Sequence, residues 1–181
     1  MATKTIGPPR IVKPDATQRE VLDNSYRILN GQSWSAGDFL FTQANGLLER
    51  CADDQDAAVG GIKFLALEDV SDPENNTTFA SVVKLTEDME FEMNVHHGTS
   101  ASALAAASIV GLQYNIEHAT PAGADSATGH PVVDLSDTGD PAVEVTAVAS
   151  DYDPSGENLA TDVYGLCRVK IVPGNLTATP A

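Results

Sequence analysis

The sequence predicts an all-β fold, a small β-barrel or sandwich with an extended N-terminal arm and at most one short helix. Three observations carry this expectation. From about residue 25 onward, short apolar or alternating runs are separated at brief intervals by Gly, Asp, Asn and Pro clusters. Apolar spacing of helical period is scarce. A length of 181 residues with 42% hydrophobic residues suits one domain with a core of its own, unlike a disordered, collagen-like or disulfide-framework chain.

Residues 1–24 read as the arm. Pro8, Pro9 and Pro14 each lack a backbone N–H and restrict the residue before them, so neither a continuous helix nor a central strand fits. Residues 1–27 hold five basic and three acidic side chains, a charge of +2 that leaves −18 on the remaining 154. This stretch is expected to leave the body, either as a disordered basic terminus or as an arm that orders on a neighbouring subunit.

A single domain follows over 25–181, ending in a short C-terminal tail. Strands are predicted at 25–29, 39–42, 47–50, 62–67, 79–84, 89–95, 113–117, 132–135, 143–149 and 165–172. Ala36-Gly37-Asp38 and Asn45-Gly46 supply tight reversals, the second as a two-residue hairpin between Phe41 and Leu47. In 89–95 the alternation puts Met89, Phe91, Met93 and Val95 on a core face and Glu90, Glu92 and Asn94 on a solvent face. The alanines of 99–111 allow a short helix near 101–108, ended by Gly111. Residues 119–129 and the polar run 71–76 read as exposed loops.

The net charge of −16 disfavours tracking of nucleic-acid phosphates and adhesion to an anionic membrane, and favours basic partners or divalent cations. Residues 1–14 lack the apolar stretch of a secretory signal, and the longest mild apolar run, 101–112, is too short to span a bilayer. Cys51 and Cys167 have no CxxC spacing and are expected as two reduced thiols, Cys167 as core filler.

The most specific chemical signal is the run from Asp151 to Asp162. Asp151, Asp153 and Ser155 occupy loop positions one, three and five, Gly156 position six and Asp162 position twelve, the ligand spacing of a calcium loop. Asp162 stands where Glu is usual, Pro154 is awkward, and a strand rather than a helix precedes the run, so an acidic solvated hairpin is the competing reading. His96, His97, His118 and His130 lack zinc spacing and are expected at strand ends; no metal and no cofactor is expected. Glu90 and Glu92 are read as a solvated face, while a pair such as Asp134 and Asp137 is what a hydrolase would use, with no convergent nucleophile, base and orienter beside it. GxSxG, P-loop and GxGxxG signals are missing, and an enzyme is not expected. Trp34, beside a turn, fits a core or interface anchor, or a surface that stacks on sugar.

GQSWSAGDFLF (31–41) and NGLLERCADDQDAAVGGIKFLALED (45–69) resemble the opening of the small β-barrel capsid cement proteins, also called decoration or head-stabilising proteins, of tailed double-stranded DNA bacteriophages. VGLQYNIE (110–117), VVDLSDTGDPAVEVTAV (132–148) and YGLCRVKIV (164–172) look like the closing strands of the same proteins. The resemblance implies a structural protein of the outer virion surface, made in the host cytoplasm. It would bind at junctions between copies of the major capsid protein, often as a homotrimer. On that reading Ile6, Arg10, Ile11, Val12 and Lys13 are the candidate capsid contacts, with apolar anchors supplying energy and cations setting register. The alternative is a virion-surface module that grips host glycans through Trp34, Tyr114 or Tyr152.

Overall fold

The computed structural model describes residues 2–13, 22–23, 26–51, 61–71, 78–126, 128–139, 141–153, 155 and 157–173. In chain order its strands are β1 (Arg10–Lys13), β2 (Leu22–Asp23), β3 (Ser33–Trp34), β4 (Phe39–Thr42), β5 (Leu48–Arg50), β6 (Phe64–Ala66), β7 (Val70–Ser71) and β8 (Val82–Lys84). The second half adds β9 (Glu90–His96), β10 (Gln113–Ala119), β11 (His130–Asp134), β12 (Val143–Val148) and β13 (Leu166–Ile171). Most of the arm beyond Lys13, the acidic stretch 52–60, the polar loop 72–77 and the tail 174–181 lie outside the described residues.

The second half closes into a barrel. β9 pairs with β11, β11 with β10, β10 with β12, β12 with β13, and β13 returns to β9. All of these pairings are antiparallel except β9 with β11. Closure removes sheet edges that would otherwise present unpaired backbone groups. Period-two side chains face inward, among them Met93 and Val95 of β9, Val143 and Val145 of β12, and Cys167 and Val169 of β13.

The first half forms a five-stranded antiparallel sheet in the order β2-β8-β6-β4-β5, laid against the barrel. Alternation along β4 explains how it can serve two cores: Phe39 and Phe41 join the barrel core, while Leu40 joins Ile28, Trp34, Leu48, Phe64 and Val82 on the far face. Phe39 meets Phe91 of β9 edge to face, with ring centroids 5.6 Å apart and planes at 86°. That geometry suits aromatic quadrupoles and fixes the sheet on the barrel. A third cluster of Ile6, Ala103, Ala119, Val132, Val163 and Tyr164 joins the N-terminal segment to the barrel.

The all-β architecture follows the sequence expectation, with several local corrections. The predicted strand 25–29 is reduced, in its described part, to isolated bridges from Arg27 to Phe79 and from Ile28 to Leu48. The turn between β4 and β5 spans five residues, with Gly46 at φ 79° and Gln43 N–H donating to the Leu47 carbonyl. The expected helix near 101–108 is instead two 3₁₀ turns, Ser100–Ser102 and Ala107–Ile109. Tertiary packing overrides alanine's helix preference here, because Ala103 and Ala105 are buried in different clusters. The one α-helical turn among the described residues is Ala149–Tyr152, past the end of β12. Glu92 and Asn94, expected in solvent, are buried because the N-terminal segment crosses that face of β9.

Candidate functional site

The candidate arm contacts lie against the chain's own barrel over the described part. Ala2 N–H donates to Asp162 Oδ1 at 2.9 Å, Lys4 Nζ stands 3.3 Å from Asp162 Oδ2, and Gly7 N–H donates to Asn94 Oδ1 at 3.0 Å. Ile6 is 1% exposed and belongs to the third cluster, and Ile11 packs against the barrel core. Ile6 is therefore covered by the chain's own barrel, Ile11 is partly covered, and residues 2–13 lie along the body. The reason is energetic: burying an Ile is worth about 1.5–3 kcal/mol. Buried Glu92 also requires a cation, which Arg10 supplies.

Of the two cations Lys4 and Arg10, Arg10 is the more outward, its side chain 70% exposed against 25% for Lys4. β1 pairs antiparallel with β9, with a register irregularity between Ile11 and Lys13 that leaves Val12 outside the ladder. Among the described residues β1 is the terminal strand of its sheet.

The Asp153 and Asp162 oxygens of the Asp151 to Asp162 run are already engaged by protein donors. Asp153 Oδ1 accepts the backbone N–H and hydroxyl of Ser155 at 2.9 and 2.7 Å, and Oδ2 accepts the Asn158 amide at 2.6 Å. The Ser155 hydrogen bonds, followed by that of Asn158, bring the Asp153 carboxyl down to about 2. The backbone N–H groups of Ala2 and Leu159, then Lys4, hold Asp162 below the usual carboxylate range. Asp151 is exposed on the helical turn, and Pro154 and Gly156 lie outside the described residues. Lys4 thus supplies Asp162 with the positive charge that a calcium ion would bring. Asp134 and Asp137 are turn-forming acceptors as well, bonded to Ser136 and Gly139.

The three aromatics named for glycan stacking have their rings engaged. Trp34 is 4% exposed in the second core and Tyr114 is 6% exposed in the barrel core. Tyr152 donates its hydroxyl to Glu92 Oε2 at 2.9 Å, under the Arg168 guanidinium 3.9 Å from its ring centre. Burial, and then the Glu92 carboxylate, push its phenol well above the ordinary range.

Sequence reasoning missed a buried ion pair beside Trp34. Arg50 Nε lies 2.7 Å from Asp38 Oδ2, and an Arg50 terminal N–H donates to the Gly129 carbonyl at 2.9 Å. Burial raises the Asp38 carboxyl, against the pull of the Ser35 N–H and of Arg50. Both residues border a cavity of about 270 Å³ with Trp34, Ser33, Asp69 and Thr128. The Ala36-Gly37-Asp38 turn was the available signal, but the partner Arg50 lies twelve residues on, at the end of β5. Both cysteines are buried, and burial pushes the Cys167 thiol far up. Among the described residues, three metal-ligating side chains converge only at His96, Glu117 and Asp125, with donor atoms within 4.8 Å of one another.

The chain matches no family model, no curated protein and no solved structure.

Proposed function

We propose that this protein is a non-enzymatic structural protein that binds the outer surface of an assembled phage capsid, at junctions between major capsid proteins, and stabilises the shell. The resemblance of residues 31–172 to capsid cement proteins supports the partner. The observation that carries the geometry is β1: the basic stretch of a strongly acidic chain forms the terminal strand of its sheet, with Arg10 exposed. Such an edge can accept a strand from a neighbouring subunit, the backbone supplying affinity and the cations register. A ligand that binds only the assembled shell stabilises it by mass action, as RT ln(1 + [L]/Kd).

The test is co-sedimentation with purified, expanded capsids lacking this protein. Saturable binding at a fixed ratio to the coat subunit is expected, reduced about tenfold or more in affinity by Arg10→Glu with Lys13→Glu. Thermal melting of the variant separates lost binding from lost fold, since Arg10 also neutralises Glu92. Wild-type protein that stays in the supernatant with competent shells overturns the proposal.

A further inference from the structure

His96 ends β9 with its side chain 3% exposed and its ring stacked on Tyr164, with centroids 5.6 Å apart and planes at 17°. Both ring nitrogens face oxygen. Nδ1 meets Glu117 Oε1, while Nε2 lies 3.0 Å from the Gly123 carbonyl oxygen and 3.5 Å from Asp125 Oδ1. A neutral imidazole carries one N–H and one lone pair. With Nδ1–H donated to Glu117, the Nε2 lone pair points at two further oxygens, an arrangement that repels unless a positive centre lies among them.

We propose that a divalent transition-metal ion of the zinc class binds here, on His96 Nε2, the Asp125 carboxylate and the Gly123 carbonyl, with Glu117 as the positioning residue that fixes the imidazole tautomer. The spacing fits such an ion. Ligand atoms each about 2.1 Å from a metal are about 3.0 Å apart at a right angle and about 3.4 Å apart at a tetrahedral angle. The observed separations from Nε2 are 3.0 and 3.5 Å. A carboxylate holding the far nitrogen of a ligating histidine is the usual supporting arrangement, and an imidazole ligand favours zinc-class ions over magnesium or calcium.

The turn that delivers these oxygens is built to its place. Gly123 has φ 88°, and a Cβ there would lie 2.2 Å from the Tyr164 ring, so only glycine lets the carbonyl approach this closely. Gly123 N–H donates to the Thr120 carbonyl at 2.8 Å, Ala119 bridges to Asp125, and Ser126 N–H donates to the His118 carbonyl at 3.0 Å. Tyr164, at φ 56°, is the one non-glycine in the left-handed region among the described residues. Backbone outliers of this kind collect at ligand clamps. Asp125, 72% exposed, offers the ion an entrance.

A proton is the rival occupant. Burial opposes charge on His96, but the hydrogen bonds to Glu117 and the Gly123 carbonyl outweigh it and raise the imidazole above its ordinary value. Calorimetric titration of chelator-treated full-length protein with zinc chloride decides between them, together with cobalt titration read by visible absorption. Expected are one zinc per chain, a raised melting temperature and a cobalt d–d band. Asp125→Asn, at an exposed position that leaves folding intact, should weaken binding about tenfold or more, and Glu117→Gln about 10–100-fold. Absence of stoichiometric zinc uptake, or uptake that both variants leave unchanged, overturns the proposal. The result does not depend on the capsid reading.

Discussion

The two acidic turns beside the barrel use their carboxylates in opposite ways. The Asp151 to Asp162 run has the oxygen spacing of an ion loop in one continuous stretch, yet Asp153 and Asp162 are saturated by Ser155, Asn158, Leu159, Ala2 and Lys4. The 120–126 turn carries no such pattern. It nevertheless brings a carbonyl and a carboxylate onto a buried histidine that is held by a glutamate from β10. Ligand spacing along a chain measures which oxygens could meet, whereas the competing donors nearby decide which remain available. In the first turn the competing donors are local N–H groups and one lysine; in the second, both oxygens face the imidazole Nε2, and the Tyr164 hydroxyl lies 3.5 Å from the Gly123 carbonyl.

The largest expected effect that sharpens this comparison is at Gly123. Gly123→Val must leave the left-handed region and displace the Tyr164 ring, and should cost about 2–4 kcal/mol, read as a lowered urea midpoint. An unchanged midpoint would mean that the turn is not seated on Tyr164. Next in size is the tether at Asp162. Asp162→Asn and Lys4→Met should each lower the melting temperature, and the double variant should fall short of additivity, because both remove the Lys4–Asp162 pair while Lys4 Nζ also donates to the Glu157 carbonyl. Full additivity would show that Lys4 acts elsewhere.

A smaller effect is expected in acid. Asp153 is depressed in the folded protein from its ordinary 3.8 to about 2, so its contribution is fully present above 3.8 and is lost as pH falls toward 2. Urea midpoints measured over this window should fall, and Asp153→Asn should flatten that part of the slope. The smallest effect belongs to calcium. With the Asp153 and Asp162 oxygens already engaged, millimolar calcium should leave the melting temperature unchanged. A clear rise, abolished by Asp153→Asn, would instead give this run the ion-binding role its spacing suggested.

Several of the strongest strands were legible because their signals are local. The alternation of 89–95 locates β9 and names its core residues, and β4, β12 and β13 fall within a residue of their expected bounds. β1, β2, β3 and β7 fall outside the expected strands: they lie in the proline-bearing N-terminal stretch or beside turn residues and take their extended form from their partners. Ile6 looked like an exposed anchor for the same reason. Nothing adjacent to it announces that Val163 and Tyr164 will cover it. Of the candidate sites, the Asp151 run could be named from spacing but not judged, and the His96 cluster could not be assembled at all.

By itself the sequence determined an acidic, all-β chain with a basic N-terminal stretch, two cysteines without CxxC spacing and turns where glycine permits a positive φ. These properties depend on composition, period-two patterning and backbone sterics, each of which acts over a few residues. Tertiary structure alone decided that the second half closes into a barrel, that the basic stretch lies along it and that Lys4 neutralises Asp162. It also decided that oxygens from a turn after β10 meet a histidine at the end of β9. Burial, ion pairing and convergence depend on distances between groups far apart in the chain, and those distances exist only once the strands have paired.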